Sequence, residues 1–192
     1  LGLLTVEQLL TLNKIPKSSE LTLKIITDFY LQHLSDRQFR MEIASPLKEI
    51  RIRFERGNLA HLLGIHHILG NHGGGYNGFI QLNNENITFE SLKAANNRTF
   101  KDDELRMLCF PFLYQMMQKP QLQLAKSNDP TQASFVFRHP LSQKFCEFRI
   151  RKINKDPESR FYSPLSFRVG RSEPFTQVKV RNVETLDLND SY

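Results

Sequence analysis

Three of the chain's six histidines, His61, His66 and His67, lie within seven positions of one another, just behind an arginine-bearing segment, RIRFERG. Imidazole titrates near neutrality, so it can take a proton from a nucleophile or return one to a leaving group. Arginine complements that chemistry on a phosphodiester, because its planar fork donates two hydrogen bonds to a phosphate. Other chemistries have less support. Cys109 and Cys146 stand 37 positions apart and form no CxxC pair, so two buried thiols in a reducing compartment are expected. There is no GxSxG, no Cys/His/Asn arrangement and no evident carboxylate pair for two-metal hydrolysis.

The histidines can be sorted by angle. With about 100° per residue, a helix from Asn58 to Gly70 carries Leu59, Leu62, Ile65 and Leu69 on its apolar face. His66 falls inside that stripe and reads as a packed core histidine. His61 and His67 fall on opposite flanks, whereas helical metal ligands share a face at spacings of three or four. No metal and no cofactor are therefore expected. His61, one turn into the helix, is the histidine expected to move protons; the plain alternative is a polar flank residue bonded to backbone. His72 and His139 cannot be placed.

Strand parity sorts the arginines. In Lys144–Lys152, Cys146, Phe148 and Ile150 share one face, and Phe145, Glu147, Arg149 and Arg151 the other. In Phe161–Val169, Phe161, Leu165, Phe167 and Val169 oppose Tyr162, Pro164, Ser166 and Arg168. Ile50, Ile52 and Phe54 likewise alternate with Arg51, Arg53 and Glu55. One apolar face and one face carrying arginines, a tyrosine and a serine are expected. The alternative is an ordinary solvated face.

These residues need elements to hold them. A short helix over Leu1–Leu12 is expected, then a long one from a cap at Ser18-Ser19-Glu20 to about Glu42, with Leu23, Ile26, Tyr30, Leu34 and Met41 as its stripe. Pro46 opens the next element. The glycine-rich Gly70–Gly78 lacks a GK[ST] ending and follows no strand, so a mobile surface loop is expected there rather than a nucleotide site. Helices follow near Thr88–Asn96 and Asp102–Gln118, the second with acidic residues in its first turn and a kink or split at Pro111. From Pro120 the texture becomes β: Gln121–Ala125, Ser134–His139, Lys144–Lys152, Phe161–Val169 and Thr176–Val180, with turns at Pro130, Pro140 and Asp156-Pro157. The whole reads as α+β: helices packed on a mostly antiparallel sheet. Residues 1–45 form a helical segment, 46–183 the main domain, and 184–192 an acidic, frayed tail.

The 40% hydrophobic and 24% charged fractions argue against wholesale disorder. The net charge of +6 is concentrated: Ser134–Arg181 holds eleven Lys/Arg against four Asp/Glu. A basic excess confined to one segment suits a polyanion. No apolar run reaches the length of a membrane span, so a cytoplasmic protein without membrane contact is expected. The chain starts at Leu1 rather than at methionine, so a piece of a longer protein is expected, and a missing signal peptide proves nothing.

Arg53-Phe54-Glu55-Arg56-Gly57-Asn58-Leu59-Ala60-His61-Leu62-Leu63-Gly64-Ile65 resembles the strand, N-x-x-H-L-x-G-h, helix signature of a phage-associated nuclease group, the fourth phage family of barnase–EndoU–colicin–RelE-like nucleases. Phe161-Tyr162-Ser163-Pro164-Leu165-Ser166-Phe167 resembles its closing strand with a Pro-x-Ser-Phe core. The resemblance implies a compact α+β ribonuclease domain, acting without metal in phage, toxin–antitoxin or conflict systems. His61 would be the family histidine, and Ser166 with Tyr162 the late polar pair; Arg149 rests on parity alone. The expectation is a metal-independent endoribonuclease, toxin or phage-encoded effector. His61, Arg149, Tyr162 and Ser166 would be catalytic, and Arg51, Arg53, Arg151 and Arg168 would bind substrate. RNA and a neutralising antitoxin or immunity protein would be its partners. A non-catalytic nucleic-acid-binding module is the first rival, and a structural protein whose basic face meets an acidic partner is the second.

Overall fold

A computed structural model describes residues 2–44, 47–154, 158–171 and 176–190. Pro46 and the Asp156-Pro157 turn lie outside the described residues. The chain divides into two compact units, each built from two stretches: Leu1–Ser35 with Glu55–Tyr114, and Asp36–Phe54 with Gln115–Tyr192.

The first unit is helical. Its opening helix, α1 (Val6–Leu9), is a single turn closed by a Thr5/Gln8 capping box, shorter than the expected Leu1–Leu12. α2 (Leu23–His33) is capped by the Thr22 side chain rather than by Ser18-Ser19-Glu20, and buries Leu23, Ile26, Phe29 and Tyr30. It does not run on to Glu42. Asp36 turns to φ +57°, and Phe39, Met41 and Ile43 are buried in alternation with Arg40 and Glu42. Met41 is a core residue, but a strand residue: a spacing of seven from Leu34 fits a helical stripe, whereas its neighbours fit only a period of two.

The expected Asn58–Gly70 helix is broken. α3 (Asn58–Leu62) and α4 (Ile65–Leu69) are separated by Gly64 in the left-handed region, φ +78°. Asn58 accepts a hydrogen bond from the Glu55 amide at 2.8 Å, so it locks the turn before α3 instead of capping the helix. The glycine-rich stretch is not an irregular loop. It forms a 3₁₀ turn over Gly70–Gly73 and then α5 (Gly75–Asn83). Gly78 permits this packing, since a Cβ there would fall 2.5 Å from the Gly73 carbonyl oxygen and 2.7 Å from Ala60 Cβ.

The two expected later helices are limbs of α6 (Phe89–Cys109), kinked at Asn96 (φ −159°, ψ 90°). Asn96 caps the second limb by accepting from the Thr99 amide at 3.1 Å. Pro111 splits this helix from α7 (Phe112–Gln118). Cys109 and Cys146 are both buried thiols, not joined in a disulfide.

The second unit is a seven-stranded sheet: β1 (Arg37–Ile43), β2 (Glu49–Phe54), β3 (Gln121–Leu124), β4 (Phe135–Pro140), β5 (Phe145–Lys152), β6 (Phe161–Gly170) and β7 (Val180–Asp187). The order is β3-β4-β5-β6-β2-β1-β7. Every neighbouring pair is antiparallel except β2 with β6. A bridge between Leu122 and Val178 ties the region before β7 to β3, so the sheet curls. The expected strand Thr176–Val180 is only this bridge. The strand proper runs on through Asp187 against β1, which pairs part of the tail expected to fray.

Parity holds through most of the sheet. Phe39, Ile52, Phe54, Phe137, Phe148, Ile150 and Phe167 are fully buried on one face, and their rings meet in a row: Phe39–Phe54 at 5.6 Å, Phe54–Phe148 at 5.7 Å, Phe148–Phe137 at 5.8 Å. Among the described residues, no helix is long and apolar enough to cross a membrane.

Candidate functional site

The helical unit gathers all three clustered histidines. The break at Gly64 invalidates a single helical wheel, so His61, His66 and His67 do not splay: His61 stacks on His66 with ring centroids 4.3 Å apart, and His66 meets His67 at 4.2 Å. His61 and His67 are exposed and His66 is half-buried. His66 Nδ1 is buried without a hydrogen-bond partner. Its burial, aided by His61, His67 and Arg106, lowers its pKa to about 4, so it is neutral at physiological pH. His66 is thus neither the packed core residue the wheel implies nor a proton carrier near neutrality.

Below the rings lies a polar bracket. His67 Nδ1 is 2.8 Å from Asp103 Oδ2, and Asp103 Oδ1 faces Arg106 Nη1 at 3.4 Å. Arg106 donates from Nε to the Leu62 carbonyl at 2.8 Å and from Nη2 to the His61 carbonyl at 3.0 Å. These are C-terminal carbonyls of α3; that of His61 also accepts from the Gly64 amide at 3.0 Å. Gly64 makes room for the bracket, because a Cβ there would stand 2.9 Å from both Arg106 Nη1 and Asp103 Oδ1. The N-x-x-H-L-x-G-h string thus has a physical reading: Asn58 locks the turn, Leu62 and Ile65 are buried, and Gly64 admits the arginine. Among the described residues, no group of three or more His, Cys, Asp or Glu is arranged to hold a metal ion.

The sheet unit carries the arginines, and here parity fails once. A bulge shifts the register between Arg149 and Ile150, so that Ser166 pairs with Arg149 but Pro164 pairs with Ile150 and Tyr162 with Lys152. A bulge residue moves every later side chain to the opposite face. Tyr162 therefore leaves the arginine face: it is 1% exposed, packs edge-on to Phe135 at 5.4 Å, and burial raises its pKa. The expected catalytic Tyr162 is a core residue. Ser166 and Arg168 stay on the polar face, with Ser166 directly across from Arg149.

Most of these arginines are already engaged. Glu147 receives Arg149 Nε at 2.8 Å and Arg168 Nη2 at 2.6 Å, with Arg138 at 3.5 Å. Burial would raise the Glu147 pKa, but Arg149 and Arg168 outweigh it and hold it below the usual carboxylate value. Arg149 also pairs with Asp129, whose carboxylate is held in turn by the Thr131 amide at 2.8 Å. A cleft of about 330 Å³ opens here, lined by Lys126, Asp129, Arg138, Arg149 and Arg168 among others. A second carboxylate, Glu49, gathers Arg40 and Arg51 at 2.6 Å each and Arg160 at 3.3 Å.

Two expected substrate contacts change accordingly. Arg51 is 2% exposed and its guanidinium is bound to Glu49, so it is a buried structural cation. Arg53 is half-buried, donates to the Leu188 carbonyl at 3.1 Å and lies 5.5 Å over the Phe161 ring. Arg151 is exposed, and Arg168 keeps 54% of its side chain exposed. Asp103, Asp129 and Glu147 are the functional candidates that sequence reading passed over as ordinary acidic positions. The Asp103/Arg106 spacing of three is visible in the sequence, but its partner His67 is not.

The helical unit and the curled mixed sheet together make an α+β fold, which is consistent with a nuclease family of the barnase and EndoU kind. The family described as phage-Barnase-EndoU-ColicinE5/D-RelE like nuclease4 matches residues 22–185, and the chain belongs to it. No curated protein and no solved structure matches the chain.

Proposed function

We propose that this nuclease is a metal-independent endoribonuclease, a cytoplasmic toxin or phage-encoded effector. His61, on the helical unit, serves as general acid or base; on the sheet unit, Arg151 and Arg168 bind phosphates along the RNA backbone and Ser166 bonds a ribose hydroxyl. Arg149 joins them once Asp129 gives way. The ribose 2′-hydroxyl loses its proton and attacks phosphorus, and the 5′-oxygen leaves with a proton. The observation that supports this reading is His61 itself: the histidine of the N-x-x-H-L-x-G-h string is exposed, on a short helix whose last carbonyls accept hydrogen bonds from Arg106. An antitoxin or immunity protein, if the domain is a toxin, would cover the basic face.

Incubation with total RNA in excess EDTA, beside His61→Ala, tests it. Cleavage by the parent that is lost in the variant supports the reading. Salt-dependent RNA binding without cleavage in either protein favours the binding-module rival.

A further inference from the structure

We propose that His67 and Asp103 form a proton-transfer dyad of this nuclease, in which His67 Nε2 exchanges the proton with substrate and Asp103 is a positioning residue. This rests on the nuclease reading above and adds a second histidine to His61. A carboxylate only accepts hydrogen bonds, so the 2.8 Å contact with Asp103 places the proton of the neutral imidazole on Nδ1. That leaves the Nε2 lone pair free, on a side chain that is 44% exposed. A ring whose inner nitrogen is fixed by a buried carboxylate and whose outer nitrogen meets solvent is arranged as a base.

The rest of the cluster favours the same tautomer. Asp103 is 8% exposed, and Arg106 holds its other oxygen, so the carboxylate does not swing away. His66 packs against the His67 ring, with centroids 4.2 Å apart. A pin between α4 and α6 would not need an accessible Nε2. In the reaction, His67 Nε2 takes the proton of the attacking hydroxyl as its oxygen bonds to phosphorus. The departing oxygen takes its proton from His61, and the Nδ1 proton stays where it is.

The test is single-turnover cleavage of labelled RNA and DNA oligonucleotides, in EDTA and in Mg²⁺, by the parent, His67→Gln and Asp103→Asn. Ring ¹⁵N NMR is recorded on the parent and on Asp103→Asn. His67→Gln should slow cleavage at least ~100-fold, the range typical of general acid–base groups, with oligonucleotide affinity held within about twofold. The parent ring should read as the Nδ1-protonated tautomer, and Asp103→Asn should lose that preference along with rate. Parent-like cleavage by His67→Gln, or a neutral parent ring protonated on Nε2, overturns the dyad. Since His67 is exposed, its variant answers the question even if Asp103→Asn fails to fold. A parent that cuts DNA alone refutes the endoribonuclease reading while the same variants still decide the dyad. A parent that cuts neither polymer overturns both.

Discussion

Replacing Gly64 by alanine should cost far more than its one methyl suggests. Gly64 sits at φ +78°, ψ 15°, where a Cβ costs about 1–2 kcal/mol in backbone strain. The new Cβ also stands 2.9 Å from Arg106 Nη1 and from Asp103 Oδ1. An arginine tip could ordinarily swing aside at little cost. This one cannot, because its Nε and Nη2 hold the Leu62 and His61 carbonyls. Moving it forfeits one such charged hydrogen bond, about 1.5–3 kcal/mol, for a total of roughly 2.5–5 kcal/mol. Urea unfolding at neutral pH measures it, repeated in an Arg106→Ala background as a double-mutant cycle. With the guanidinium gone and Asp103 released on that side, Gly64→Ala should cost little beyond its backbone share, a coupling of about 1.5–3 kcal/mol. Additivity within about 0.5 kcal/mol, or a Gly64→Ala cost below about 1 kcal/mol, would refute the reasoning.

Asp129→Asn removes the carboxylate that occupies Arg149, so affinity for single-stranded RNA should rise several-fold. Its salt slope should steepen by up to about 0.7, the share of one phosphate contact. Anisotropy titrations at two or more salt concentrations measure this, and an unmoved slope removes Arg149 from the phosphate ligands. His66, held near pKa 4 against an ordinary 6.5, gives a pH prediction. Between those values the unfolded chain binds a proton that the folded chain lacks, so stability should fall as pH drops from 6.5 toward 4 and the effect should level off below. His66→Phe should flatten that window, read as urea midpoints against pH. Carboxylates such as Glu147, whose folded pKa is lowered, contribute below about pH 4.5 and are common to both proteins. Identical pH profiles would show that the His66 ring titrates as though solvated.

Strands β2 to β6 were legible because one buried face imposes a period of two, and Cys146, Phe148 and Ile150 could sit no other way. The same rule misplaced Tyr162, because one bulge near Leu165 resets the count, and Pro164, which cannot donate to the ladder, is the local mark of it. β1 was misread because Leu34 and Met41 stand seven apart, which fits a helical stripe and carried the expected helix past the turn at Asp36. His61 was legible as a helical residue with titrating chemistry. Its companions were not: a glycine inside a helical pattern is usually tolerated, and only the tertiary contact with Arg106 makes Gly64 a break. Asp103 looked like a helix-dipole residue because its partner His67 comes from a segment 36 positions away.

The place of β1 in the sheet bears on how the protein comes into being. Arg37 pairs with Phe54 on one side and with Asp187 on the other, and β2 finds its outer neighbour only in β6. The β1–β2 hairpin therefore leaves the ribosome early and waits for strands about a hundred residues later, roughly 5–20 s at ordinary synthesis rates. Until then both its edges are open to stray pairing, and the arginine face does not exist as a surface. If that face binds RNA, the nascent chain is harmless to the message and ribosome that make it until nearly the last strand is out. A stop codon ahead of Val180 would leave β1 with an open edge and yield an aggregation-prone protein rather than a smaller nuclease.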